Sequence, residues 1–300
     1  MTTFDDFDAW GNAVSGASLR LACDAVDTGV WTLASADLGG IVVQVAAEGG
    51  GNLCYGANTH VGPILFVPLT HVAGHVVNGE PLDDDSLLFI PRGADFRICV
   101  RRWSHSWCSI ALPADMQLAP GNTSGSARLA CRPGAVSRLR RLVTDVVAAL
   151  PDRPGGTAAH RAAGTAILDA VAGCLPADPG PAVRLGRTRL DRGEVVRRVM
   201  AHLESTATVP TAAELARDVG VTGRTLLRTF QETFGLPPKK YLMLRQLHGV
   251  RRILRTGAPK DSTVADVLTR SGIWEFGRFA SRYRRQFGEL PSETLRRGRA

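Results

Sequence analysis

The sequence predicts an α+β protein in three parts: an N-terminal β-barrel or jelly roll, a helical linker hairpin and an all-α C-terminal region. Three patterns in the 300 residues support this architecture. Short apolar segments alternate with turns up to residue 115, apolar positions recur at helical spacing between residues 135 and 175, and one pattern occurs twice near the C-terminus. The expected domains are therefore residues 1–115, 116–182 and 183–300.

The first part contains a series of candidate β-strands separated by Gly-, Pro- and Asp-rich turns. Asn78-Gly79 suits a tight hairpin turn, and Pro91-Arg92-Gly93 ends one strand before the next begins. Short strands at this spacing are typical of a sandwich or barrel of the jelly-roll kind. The candidate strands are Ile41–Ala46, Ile64–Leu69, His75–Val77, Leu87–Ile90, Phe96–Val100 and Trp107–Leu112.

A small barrel can enclose a ligand cavity, and several aromatic residues either line such a cavity or form plain core. No residue identifies the ligand, so the effector-binding residues are not predicted. Four histidines lack the spacing of a metal-binding cluster, and no Ser–His–Asp or Cys–His neighbourhood offers a nucleophile. We therefore expect no metal, no cofactor, no catalytic residue and no enzymatic activity. The aromatic residues are Trp31, Phe66, Phe89, Phe96, Trp103 and Trp107, and the histidines are His60, His71, His75 and His105.

Two helices are predicted after the barrel. Ala135–Leu150 and the alanine-rich segment Thr157–Leu175 both carry apolar residues at helical steps, and Pro151–Gly156 separates them. Two antiparallel helices with a short connection form an αα-hairpin. Pro176–Pro181 then provides a stiff linker, and Arg192–Glu204 is expected to be the first helix of the last domain.

The C-terminal region repeats one supersecondary unit, first over Ala213–Leu242 and then over Ala265–Leu295. Each copy begins with a capping box, Thr211 with Glu214 and Thr263 with Asp266. Gly220 and Gly272 end the first short helix of each copy. The second helices are expected to bury Leu226, Phe230 and Phe234 in the first copy, and Phe276, Phe279, Tyr283 and Phe287 in the second. A short helix, a glycine turn and a second helix make a helix-turn-helix.

Charge is distributed unevenly between the two ends of the chain. From Arg184 onward there are 24 Lys and Arg against 11 Asp and Glu, a net charge of +13, whereas the remainder carries 12 against 17, a net charge of −5. The two values give the net charge of +8 for the whole chain. A basic segment with a duplicated helix-turn-helix indicates binding to double-stranded DNA.

The repeated segment resembles the DNA-binding domain of AraC/XylS-type bacterial transcription regulators. The resemblance rests on L-A-R-D-V-G-V-T-G-R-T-L-L-R-T-F-Q-E-T-F-G-L-P-P-K-K-Y-L and on S-G-I-W-E-F-G-R-F-A-S-R-Y-R-R-Q-F-G-E-L-P-S-E-T-L. It implies two helix-turn-helix units bridged by one long helix, behind a cupin-like sensor domain. It further implies a transcription activator that responds to a small-molecule effector and forms a homodimer, with RNA polymerase as a further candidate partner.

Helix polarity separates the residues expected to contact DNA from those of the core. On the outward face of the two recognition helices, the base-contacting candidates are Arg224, Thr225, Arg228, Arg278, Ser281 and Arg282. Arg224 and Arg228 lie at positions that match the family's base-contacting residues. Basic residues expected to contact phosphate are Lys239, Lys240, Arg284 and Arg285.

Three residues depart from the family pattern. Gln246 stands where the bridging helix usually has arginine, Gly249 lies inside that helix, and Leu268 replaces a small alanine in the second unit. A bulky residue at a close helix crossing is expected to shift the packing of that unit.

Alternatives to this reading remain open at the level of sequence. They are a metal-dependent cupin enzyme fused to a DNA-binding domain, a DNA-repair methyl acceptor, and a DNA-binding protein without a ligand. The methyl acceptor needs a four-cysteine zinc cluster, whose spacing the six cysteines do not show. The acidic N-terminus does not resemble a secretory signal, and no apolar run approaches the ~20 residues of a membrane span, so a cytoplasmic location is expected.

Overall fold

The computed structural model describes residues 1–101, 103–116, 125–150, 157–175, 192–206, 208–257 and 261–299. The chain divides into two compact units, Met1–Leu185 and Gly186–Ala300. The predicted break at 151–156, the linker at 176–181 and the predicted boundary between residues 182 and 183 lie outside the described residues. The three-part division into residues 1–115, 116–182 and 183–300 stays a prediction.

The first unit contains two antiparallel sheets, which confirms the α+β prediction with a β-rich N-terminal part. The seven-stranded sheet has the order β1-β3-β4-β11-β6-β9-β12 and the five-stranded sheet the order β2-β5-β10-β7-β8. The strands are β1 Thr2–Phe4, β2 Ala17–Val26, β3 Trp31–Asp37, β4 Val42–Glu48, β5 Gly50–Asn58, β6 Ile64–Pro68, β7 His75–Val77, β8 Glu80–Pro81, β9 Ser86–Ile90, β10 Asp95–Val100, β11 His105–Ala111 and β12 Ala127–Ala130. Helix α1 spans Phe7–Ala13.

The six predicted strands correspond to β4, β6, β7, β9, β10 and β11, with β7 at its predicted bounds and the ends of the others shifted by at most two residues. The hairpin turn predicted at Asn78-Gly79 connects β7 and β8, and both of its residues have positive φ, 52° and 90°. These angles match the type of turn that joins twisted strands without splaying them. The sequence patterns did not predict β1, β2, β3, β5, β8, β12 or α1.

Alternation along the strands separates two apolar cores. In β6, Ile64 and Phe66 pack between the two sheets, whereas Leu65 and Val67 pack on the opposite face of the seven-stranded sheet. In β11, Trp107 likewise lies between the sheets. Successive side chains of a strand point to opposite faces, so one apolar strand serves both cores.

The outer face of the seven-stranded sheet is covered by a helical hairpin, α2 Ala135–Ala149 and α3 Ala158–Cys174. Thr157 caps α3 by accepting a hydrogen bond from the His160 amide. The Cys174 carbonyl accepts a hydrogen bond of 2.8 Å from the Arg132 amide, so the end of α3 meets the start of α2 and the helices are antiparallel. A Cβ at Gly164 would lie 2.4 Å from the Leu38 carbonyl oxygen, which explains why glycine stands where α3 approaches the loop after β3.

The second unit consists of helices: α4 Arg192–Ser205, α5 Ala212–Asp218, α6 Gly223–Phe234, α7 Pro238–Arg252, α8 Val264–Arg270, α9 Phe276–Phe287 and α10 Pro291–Arg299. A π-helical turn, Ile253–Gly257, extends α7. Both predicted capping boxes form, with the Thr211 hydroxyl accepting from the Glu214 amide and the Thr263 hydroxyl from the Asp266 amide. Gly220 and Gly272 have φ of 72° and 71°, as the predicted left-handed turns require. The unit therefore contains two helix-turn-helix motifs, α5–α6 and α8–α9.

One prediction about the core of the second motif is wrong. Phe276 is 38% exposed, because it begins α9 and the core of this motif contacts the helix only from Phe279 onward. Phe287 is half-buried against the same core. Among the helices that the structure describes, none combines the length and apolar character that a bilayer crossing requires.

Candidate DNA-binding interface and barrel cavity

Helix α6 is amphipathic, with one face buried and the other open to solvent. Leu226, Phe230 and Phe234 are at most 1% exposed, as predicted. The helix begins at a Thr222 cap whose hydroxyl oxygen accepts a 3.1 Å hydrogen bond from the Thr225 amide. A buried apolar face and a fixed N-terminus hold the outward side chains of the first turns in place.

The three contact candidates of α6 differ in their surroundings. Arg224 is exposed in the first turn. The Thr225 hydroxyl lies 2.9 Å from that of Thr222, so it takes part in the helix cap. Arg228 Nε lies 3.6 Å from Glu232 Oε1 one turn further along, and both side chains are partly exposed. The exposed ion pair is worth at most about 1 kcal/mol, so it leaves the guanidinium available to a stronger acceptor.

Helix α9 repeats this arrangement with a more basic outer face. Phe279 and Tyr283 are buried, while Arg278, Ser281 and Arg282 are exposed and line one surface depression together with Gly277 and Arg285. Arg278 Nη1 donates to Glu275 Oε1 at 2.7 Å. The Ser281 hydroxyl donates to the Gly277 carbonyl at 3.0 Å. The structure thus brings together the three base-contacting candidates of the second motif on one exposed face.

The four phosphate candidates lie at two places in the second unit. Lys239 and Lys240 are in the first turn of α7, where Lys239 is exposed and Lys240 half-buried. Arg284 and Arg285 are exposed in the last turn of α9. Contacts of all these residues with DNA stay predictions.

A cavity of about 60 Å³ lies between the two sheets of the first unit. Of the six aromatic residues proposed for such a cavity, Phe66, Phe96 and Trp107 line it. Trp31 belongs to the surrounding core, Phe89 packs on the outer face under the helical hairpin, and Trp103 is 60% exposed. These last two residues do not reach the space between the sheets, because strand alternation or a turn directs them elsewhere.

One end of this apolar cavity is polar, and sequence reasoning missed its central residue, Glu48. Glu48 and His105 are paired across β4 and β11, and both are buried. The indole N–H of Trp107 donates to Glu48 Oε1 at 2.7 Å, and His105 Nε2 lies 3.5 Å from the same oxygen. Asn52 of β5 also lines the cavity. Ala46 packs inside the barrel, so period-two alternation along β4 would have placed Glu48 on the same face.

The two buried histidines near Glu48 have opposite pKa shifts. Burial lowers the pKa of His105, but the hydrogen bond and charge of Glu48 outweigh it, so the pKa is raised above the ordinary value. Burial, and then the charge of His105, lower the pKa of His75 to about 3. The two rings meet edge to face with centroids 5.1 Å apart. Glu48 therefore favours the protonated form of His105, whereas His75 is neutral.

The histidines and cysteines of the described residues form no group of three or more candidate ligands suited to a metal ion. His60 Nδ1 accepts a hydrogen bond from the Gly62 amide, and His75 Nδ1 lies 3.0 Å from the His71 carbonyl oxygen. The six cysteines are thiols, five of them buried, and burial raises the pKa of Cys108 to about 12. A buried thiol of high pKa is a poor nucleophile.

Known proteins resemble this chain in its second unit. Residues 215–297 match the helix-turn-helix domain family. A protein described as the probable thc operon regulatory protein of Rhodococcus erythropolis is 37% identical over 103 residues, which are 34% of this chain and 31% of that protein. The XylDLEGF operon transcriptional activator of Pseudomonas putida is 33% identical over 102 residues, with the same two shares, 34% and 31%. The second unit is an AraC-type helix-turn-helix domain.

The chain spans 31% of the length of each of these two relatives. A crystal structure described as a probable AraC family transcriptional regulator from Rhodopseudomonas palustris is 33% identical to this chain. That structure covers 35% of this chain and 98% of its own, with a TM-score of 0.32.

The three departures from the family pattern have different surroundings in this domain. Leu268 is 2% exposed and packs with Leu247, Val250 and Tyr283 in the core of the second motif. A Cβ at Gly249 would meet no atom within 4 Å, so packing does not require glycine there. Gln246 is half-buried in α7.

Proposed function

We propose that this protein is a sequence-specific DNA-binding transcription regulator, with activation as its mode. One observation carries the proposal: two equivalent helices, α6 and α9, each bury an apolar face and expose arginines in their N-terminal halves. A helix-turn-helix protein places the N-terminal residues of its second helix against base edges in the major groove. The relatives in the AraC-type domain are named as regulatory proteins of operons, in agreement with this role.

Within this proposal the exposed residues divide into two roles. Arg224, Arg228 and Arg278 supply guanidinium groups that can bond guanine O6 and N7 in pairs, at ~1–3 kcal/mol of discrimination for each such contact. Thr225, Ser281 and Arg282 add contacts beside them. The phosphate role falls to Lys239, Lys240, Arg284 and Arg285, which fix register without reading sequence.

The first unit is proposed to control DNA binding through a small molecule held between its sheets. The support is a cavity lined mainly by apolar residues and provided with a buried polar end. A homodimer, contact with RNA polymerase and a cytoplasmic location complete the proposal. Light scattering at several protein concentrations tests the dimer.

The arginine assignment is tested by comparing specific with random DNA. Footprinting on the DNA upstream of the gene itself and of its neighbours first supplies an operator. We expect Arg224→Ala and Arg278→Ala each to weaken operator binding by about 1–3 kcal/mol, roughly 5- to 150-fold, with a much smaller loss on random DNA. Lys239→Ala should weaken both alike and reduce the slope of log K against log salt by about 1. Fluorescence anisotropy measures all of these affinities.

Arg138→Ala is the matched control, because Arg138 is exposed in α2 of the first unit and its loss removes the same charge. Equal losses on operator and random DNA for the two arginine variants would contradict the base-contact assignment. Failure of the wild-type protein to bind any duplex at low salt would remove the proposed function itself.

A further inference from the structure

The polar end of the barrel cavity contains hydrogen-bond acceptors without partners. Glu48 Oε1 receives the Trp107 indole N–H and faces His105, but Glu48 Oε2 has no hydrogen-bond partner within the described parts of the chain. The same holds for Asn52 Oδ1. Both residues line the cavity, and they are 3% and 6% exposed. A buried acceptor without a donor costs roughly 1–3 kcal/mol, so these atoms favour a ligand that brings a donor.

Glu48 already has a basic neighbour. Its Oε1 lies 3.5 Å from His105 Nε2, and, despite burial, the hydrogen bond and charge of Glu48 raise the pKa of His105 above its ordinary value. His75, next to His105, is neutral because its pKa is about 3. A ligand that carries a full charge would leave one charge without a counter-ion in a buried site, which is costly.

The rest of the cavity wall is mainly apolar, with Ser15 and Ser109 as further polar residues. Trp10, Ile64, Phe66 and Phe96 contribute to it from α1 and from both sheets. One water occupies roughly 10–15 Å³ of such a cavity, so the space of about 60 Å³ equals that of about four to six waters. A small ring or a short branched chain has a comparable number of non-hydrogen atoms.

We infer that the barrel binds a small, uncharged, largely apolar molecule with a hydroxyl group, whose O–H donates to Glu48 Oε2. This inference rests on the proposed function for its regulatory meaning, but the binding itself does not depend on DNA. A hydroxyl satisfies an unpaired acceptor without adding charge. A carboxylate would place a second carboxyl group against Glu48, and an ammonium would add a cationic group beside His105, which already faces the other oxygen of Glu48.

The test uses four compounds small enough for this space, which share one branched carbon skeleton and differ in the terminal group: isobutanol, isopentane, isobutylamine and isobutyrate. Binding to the full chain is measured by isothermal titration calorimetry and by tryptophan fluorescence, since Trp10 and Trp107 line the cavity. Isobutanol should bind at least about tenfold more tightly than isopentane, which lacks the donor. Isobutylamine and isobutyrate should bind more weakly than isobutanol. Equal binding of isopentane, tighter binding of either charged compound, or no binding of any of the four overturns the inference.

Glu48→Gln tests the acceptor directly. The amide oxygen can still accept from Trp107, but the position of the unpaired acceptor then holds an NH₂ donor. We expect the preference for isobutanol over isopentane to fall by about tenfold while isopentane binding is unchanged. Glu80→Gln is the matched control, because Glu80 is exposed on β8 of the same unit. An unchanged preference in Glu48→Gln contradicts the inference, and the comparison among the four compounds in the unaltered protein decides the matter if this variant does not fold.

Operator binding measured with and without isobutanol separates this inference from the proposed function. Ligand binding that leaves operator affinity unchanged supports the site and removes its regulatory role. A change in operator affinity that Glu48→Gln abolishes supports both. Operator binding without binding of any of the four compounds keeps the DNA-binding function and removes the ligand site.

Discussion

The two helix-turn-helix motifs share one backbone pattern but stabilise it by different means. In the first motif, Thr222 caps α6, with a 3.1 Å hydrogen bond from the Thr225 amide. Its counterpart in the second motif is Glu275, whose side chain forms no cap hydrogen bond and whose φ and ψ are −90° and 66°. Glu275 instead pairs with Arg278 at 2.7 Å. The residue before the second helix thus caps that helix in one motif and forms an ion pair with a proposed DNA-contacting arginine in the other.

The cores of the two motifs also differ in their polar content. The buried Phe230 of the first motif corresponds to Tyr283 in the second, whose hydroxyl lies 2.8 Å from that of Thr294. Phe234 corresponds to Phe287, which is half-buried and has the Arg251 guanidinium 4.7 Å above its ring. The repeated sequence pattern therefore keeps the turn geometry in both motifs, while the polar content of their cores differs.

Leu268 provides the largest expected effect. It occupies the position of Ala216 in the first motif, and both residues are buried. Leu268→Ala should destabilise the second motif by about 2–5 kcal/mol, because it leaves a cavity among Leu247, Val250 and Tyr283. Hydrogen exchange of peptides from α8 and α9 across a urea series measures this loss.

The reverse substitution, Ala216→Leu, is the matched partner of that experiment. It should destabilise the first motif by about 1–3 kcal/mol through overpacking. If both variants are as stable as the original protein, the two cores are interchangeable and the comparison fails.

The helix caps provide an intermediate effect. Thr222→Ala should cost about 1 kcal/mol, because it removes the oxygen that accepts from the Thr225 amide. Glu275→Ala at the equivalent position should change the free energy of unfolding by no more than about 0.5 kcal/mol, because it removes an exposed ion pair only. Urea denaturation followed by the same peptide exchange distinguishes the two. A loss in Glu275→Ala as large as that in Thr222→Ala would show that α9 is capped as α6 is.

The smallest effect concerns DNA affinity. Glu275→Gln removes the negative charge that pairs with Arg278, so binding to duplex DNA at low salt should tighten by up to about fivefold, the worth of an exposed ion pair. Glu204→Gln, at an exposed residue of α4, removes the same charge elsewhere in the helical part of the chain and should tighten binding less. Anisotropy titrations of both variants measure the difference. Equal gains in DNA affinity for the two variants would mean that the affinity depends only on net charge and that Arg278 does not contact the DNA.

Much of the second unit followed from local signals, whereas much of the barrel did not. Capping boxes and glycine turns act within four residues, so Thr211, Thr263, Gly220 and Gly272 marked the helix ends correctly. The missed strand β5, Gly50–Asn58, is rich in glycine and polar residues, which do not favour a strand by themselves. It forms because β2 and β10 pair with it on either side.

The sequence by itself determined the duplicated helix-turn-helix, the basic charge of its segment and the faces of its recognition helices, because a helix fixes its faces through contacts three and four residues apart. Only the tertiary structure decided that Glu48 meets Trp107, 59 residues away, at the polar end of a cavity. It also placed Phe66 inside the barrel and Phe89 outside it. Pairing between distant strands sets both outcomes, and strand register depends on the whole sheet rather than on neighbouring residues.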